Sequence, residues 1–114
     1  MLVNLTSHSI VVETAASGQF EIRPSRTVAR VATTQEVVGV VLPEETVNDG
    51  VDVVKTVWGE VTGLPDPQPG VTFIVSSLVA ARVPERTDVV APDTGPTAIR
   101  KNGQIVAVRG FQRF

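Results

Sequence analysis

Few side chains in this sequence of 114 residues are of a type and spacing that could do chemistry. In the stretch FIVSSLVAARVPERTDVVAP, residues 73–92, Arg86 and Asp88 stand two apart between two apolar runs. On an extended strand such residues share a face and lie about 6.6 Å apart. The Asp88 carboxylate can then hold the guanidinium plane of Arg86, leaving its other donors for an anion or a backbone carbonyl. Two readings stay open: a two-pronged ligand clamp, or a structural arginine tied to a loop. Ser76 and Ser77, at the end of the preceding apolar run, are expected to face the same region.

The single histidine, His8, lies in NLTSHSI beside Asn4, Thr6, Ser7 and Ser9. A serine next to a histidine is a precondition for nucleophilic catalysis, but sequence adjacency does not supply the required hydrogen-bond geometry. The alternative is a hydrogen-bonded structural histidine at a turn between strands. One histidine and no cysteine exclude histidine-rich and thiolate metal sites, and no metal or cofactor is expected. Asn48-Asp49-Gly50 reads as a turn rather than half a calcium loop. Glu44 and Glu45, after Pro43, read as solvated loop charge. There is no glycine-rich phosphate loop, no HExxH and no GxSxG.

These groups have to be held by a mainly β scaffold. Valine supplies 23 residues, and branching at Cβ suits a pleated, half-buried surface. Prolines and glycines recur at intervals of roughly ten residues, the punctuation of short strands. The expected fold is a compact β-sandwich or small β-barrel of short antiparallel strands, one domain over 1–114. Strands are expected at 2–5, 10–13, 20–23, 27–33, 37–42, 51–62, 71–75, 87–90, 98–101 and 104–109. At most one short helix is expected, about 77–83, capped by Ser76 or Ser77 and stopped by Pro84. GLPDPQPG, 63–70, reads as a stiff, polyproline-like loop.

The last hairpin carries the clearest turn signal. Asn102-Gly103 is a type I′ turn dipeptide between two apolar runs, which predicts Lys101 opposite Gln104 and Ile99 opposite Val106. Alternation then puts Ile99, Val106 and Val108 on the core face, and Arg100, Ile105, Ala107 and Arg109 on the other. Arg100 and Arg109 are secondary ligand candidates about 13 Å apart, or edge charges that discourage strand pairing. Phe73 is expected in the core, and Trp58, beside Gly59, either in the core or as the cover of a pocket, the core being the more common. Phe111 and Phe114 are expected at a homo-oligomer contact.

Ten basic against twelve acidic residues give a net charge of −2, too little positive field to draw in nucleic acid. Eight of the ten cations are arginines, suited to bidentate carboxylate or phosphate recognition, although coding bias also raises arginine over lysine. No apolar run reaches the roughly 18 residues of a membrane span, and MLVNLTSHSI lacks the basic start of a signal peptide. A cytoplasmic protein without a membrane partner is expected.

Taken together, NLTSHSI, RPSRTVARV, GEVTGLPDPQPG, FIVSSLVAARVPERTDVVAPD and NGQIVAVRGF resemble, over nearly the whole chain, a group of small uncharacterised proteins of bacteriophages, prophages and actinobacterial genomes. That group opens Asn-Leu-Thr-Pro-His, so Ser7 departs from it. Asn4, Thr6, His8, Ser76, Arg86 and Asp88 match its polar positions, which makes them the candidate ligand-binding set. The resemblance implies a phage-type binding protein acting in the host cytoplasm. Its expected role is anti-defence, by sequestering a nucleotide-derived signalling molecule or inhibiting a host protein. A virion or assembly protein is the alternative, and a small hydrolase or lyase using His8 the second.

Overall fold

The computed structural model describes residues 1–44 and 49–114. Asn48 of the expected turn and Glu45 of the carboxylate pair lie outside the described residues. The elements run β1 (Leu2–Asn4), β2 (Ile10–Thr14), β3 (Gly18–Ile22), β4 (Arg30–Val41), β5 (Val51–Thr62), β6 (Thr72–Ile74), α1 (Ser77–Arg82), β7 (Val89–Pro92), β8 (Ile99–Lys101), β9 (Gln104–Ala107) and β10 (Phe111–Gln112). The chain divides into two compact units, Met1–Arg30 with Val61–Phe114, and Val31–Glu60.

The larger unit is built on a four-stranded sheet in the order β1-β6-β7-β10. β1 and β7 both pair with β6 in parallel, and β10 runs antiparallel to β7. The hairpins β2-β3 and β8-β9 form separate antiparallel ladders, and no barrel closes among the described residues. The mainly β fold with one short helix is as the sequence predicts; the parallel pairings add to it. A parallel pair needs a crossover of a dozen or more residues, and here residues 75–88 supply it around α1. Ser76 caps that helix, its Oγ accepting from the Val79 N–H, and the helix ends at Val83 ahead of Pro84.

Alternation along the short strands β6 and β7 sorts the core into two layers. Ile74 and Val90, paired across β6 and β7, pack with Ile10, Val12 and Val108, and with half-buried Ile22 and Phe111. Phe73, Val75, Val89 and Ala91 take the opposite pleat and are buried, with α1 against β7 through buried Val79 and Ala80. Each buried valine, isoleucine or phenylalanine of these layers contributes about 1.5–3 kcal/mol of transfer free energy. The chain also closes tightly at Gly63, where φ is +78° and an added Cβ would run into the Val28 carbonyl oxygen.

Several expectations are corrected by the structure. The Asn102-Gly103 turn has positive φ at both residues. However, a bulge between Ile99 and Arg100 pairs Ile99 with Ala107 instead of Val106. The extra residue breaks the alternation, so Ala107 and Val108 are buried while Ile105 and Val106 are exposed. The expected strand at 87–90 begins only at Val89; Arg86 to Asp88 lie in consecutive turns closed by Arg86 N–H to Val83 O and Val89 N–H to Arg86 O. The strands expected at 27–33 and 37–42 are one, β4, running through the polar residues between them.

The smaller unit is the two-stranded ladder of β4 and β5. Ala32 lies against Gly59 and Val40 against Gly50, so the two strands run antiparallel. Of their 24 residues only Val31 and Val61 are not exposed. Trp58, expected in the core, is 37% exposed in β5.

Candidate functional site

The loop after β1 is organised by Asn4, the one buried polar side chain among the described residues. Its Nδ2 donates to the carbonyls of His8 at 2.8 Å and Ile22 at 3.0 Å. Its Oδ1 accepts from the Thr6 N–H at 2.9 Å, with the Thr6 hydroxyl 2.6 Å away. That exhausts what an asparagine can make, so Asn4 positions the loop, and the Thr6 hydroxyl, also 3.0 Å from the His8 carbonyl, braces it. The product is an exposed His8 imidazole with no hydrogen-bond partner among the described residues.

Arg86 and Asp88 form a two-point ion pair: Nε to Oδ1 and Nη2 to Oδ2, both 2.8 Å, with side chains 18% exposed. Nη2 also donates to the Pro65 carbonyl at 2.9 Å, pinning the 63–70 loop. The mutual hydrogen bond holds the Asp88 carboxyl below the usual carboxylate range and pushes the Arg86 guanidinium up. The pair faces the start of the parallel strands, where Asp88 O receives the Phe73 N–H and the N-terminal ammonium meets Gly70 O. His8 follows the opposite, C-terminal end of β1. The structure thus does not bring Arg86 and Asp88 to His8, and the six candidates do not form one site.

The remaining candidates are also occupied structurally. Ser76 caps α1. Arg100 donates to the carbonyls of Gly95 at 3.1 Å and Thr94 at 2.8 Å, fastening its own approach loop. Arg109 makes an exposed 3.3 Å ion pair with Glu13, and the two arginines share no partner. Phe111 packs on the core cluster, leaving Phe114 as the exposed aromatic of the C-terminal segment.

A pocket of about 350 Å³ does lie beside His8. Residues 8–11, Pro92, Thr94 and residues 105–108 line it, giving an apolar floor with imidazole and hydroxyl groups at its edge. Its lining residues come from the segments that follow β1 and end β7 and from β2 and β9. No cation lines it, so its chemistry suits a flat, largely uncharged ring with a few polar substituents. Ser9 was legible beside His8 in the sequence. Thr94 and Ile105 were not, because only the chain topology and the bulge bring them there.

Among the described residues no cluster of His, Asp and Glu is placed to hold a metal ion, and no helix is long and apolar enough to cross a membrane. In comparisons with known proteins, no family model, curated protein or solved structure matches this chain.

Proposed function

We propose that the chain is a phage-type binding protein of the host cytoplasm that sequesters a nucleotide-derived signalling molecule, taking its base and sugar in the pocket beside His8. The observation that carries this reading is the pocket itself, whose volume of about 350 Å³ falls in the range of small-molecule sites. Its apolar floor suits a heterocycle, and His8, Ser9 and Thr94 supply the few polar groups that fix orientation. An imidazole without an oriented partner favours binding over the hydrolase or lyase reading. The phage assignment rests on the sequence resemblance. A virion or assembly role is the second reading, favoured by the exposed apolar β4-β5 ladder, and its mark is co-purification with particles.

The test is thermal unfolding with cyclic nucleotides and ADP-ribose derivatives at 1 mM. A Kd of about 10 μM places that concentration at about 100 Kd, worth about 2.7 kcal/mol and a Tm rise of about 10 °C. Ile105→Arg, which fills the pocket from an exposed position, abolishes the shift. No stabilisation by any of these compounds contradicts the reading.

A further inference from the structure

We propose that the β4-β5 ladder is a self-association surface, packing against the larger unit of a second copy of this chain. Period-two alternation places Val38 and Val40 of β4 on one face and Val37 and Val41 on the other, all more than half exposed. β5 repeats the pattern, with Val51 and Val53 on one face and Val54 and Trp58 on the other, all exposed. A two-stranded ladder is marginal in water unless a hydrophobic face is covered, and apolar surface grouped in this way marks an interaction site.

Area and charge both select a second copy as the cover. Twelve-residue strands give a ribbon about 40 Å long and about 10 Å wide, hence about 400 Å² per face. In a two-fold dimer each copy contributes one ladder face and one receiving patch, burying about 1,600 Å² in total, the size of a standard specific interface. Residues 31–60 carry one lysine against six carboxylates, a net −5, and the whole chain's −2 leaves +3 for the larger unit. Three of those carboxylates lie in the connection between the strands, so the contrast belongs to the units: two smaller units packed together would bring like net charges together, whereas smaller unit on larger unit pairs opposite ones.

The test is light scattering of the full-length protein from about 1 to 100 μM, with amine cross-linking of a mixed light and ¹⁵N-labelled sample. Lys55, in the ladder, and Lys101 and the N-terminus, in the larger unit, are the only amines, so the cross-links report the docking geometry. The expected result is a dimer with light-to-heavy cross-links from Lys55 to Lys101 or the N-terminus. The combined variant Val38→Thr, Val40→Thr and Val53→Thr, which keeps strand propensity, weakens the dimer at least tenfold while circular dichroism is unchanged. A monomer at 100 μM, Lys55–Lys55 cross-links alone, or a dimer insensitive to the threonine variant overturns the proposal.

Discussion

The two units spend the same residue type in opposite ways. In the larger unit Val12, Val75, Val79, Val89, Val90 and Val108 are buried, and no buried side-chain polar atom among the described residues lacks a hydrogen bond. In the β4-β5 ladder eight valines and Trp58 stand at least 37% exposed. The difference lies in what covers each strand. β7 has α1 against it and, with β6, carries the cluster of β2 and Val108, whereas each of β4 and β5 is hydrogen-bonded only to the other among the described residues. A valine-rich composition therefore predicts strands but not which of them a chain can cover by itself.

The contrast can be broken most forcefully at Phe73. Phe73→Ala removes a fully buried ring from the central strand β6 and costs about 3–5 kcal/mol, a large share of the roughly 5–15 kcal/mol that holds a domain of this kind together. The same truncation at Val54, 45% exposed, changes stability by no more than about 0.5 kcal/mol in dilute solution. Urea unfolding measures both; equal losses would mean that the ladder is as well packed as the sheet.

A smaller effect sharpens the comparison at the ion pair of the larger unit. The Arg86 hydrogen bond lowers the Asp88 pKa in the folded state. Its stabilisation is therefore fully present above the unfolded value of about 3.9 and is lost as pH falls through the lower, folded one. Asp88→Asn is expected to cost about 1–2 kcal/mol at pH 7. It also flattens the decline in stability between pH 5 and pH 2. Parallel pH profiles for the variant and the wild type would show that the pair contributes nothing to stability.

What was legible in the sequence was local. Asn102-Gly103 announced its turn because both positions need positive φ. Ser76 and Pro84 bracketed α1 because a cap and a missing donor act within a few residues. The parallel sheet was signalled only weakly, by two short apolar runs flanking a helix, the pattern of strands buried on both faces. The bulge at Ile99 carried no residue signature, and it reversed the sidedness of Val106 and Ala107. At the candidate site Arg86 and Asp88 do pair, but across consecutive turns ahead of β7 and not along the extended strand that their spacing suggested. Their partner, Pro65 O, and their separation from His8 follow from which end of a strand each loop leaves, and alternation does not encode that.

Amide hydrogen exchange in a sample dilute enough to be monomeric tests most directly the claim that the valines of one unit are buried and those of the other exposed. The Phe73 and Val75 N–H groups, bonded to Asp88 O at 2.8 Å and Val90 O at 2.9 Å, are predicted to exchange only through global unfolding. Amides of β4 and β5 are predicted to exchange orders of magnitude faster. Ladder amides as slow as those of Phe73 and Val75 at the same dilution would contradict the account.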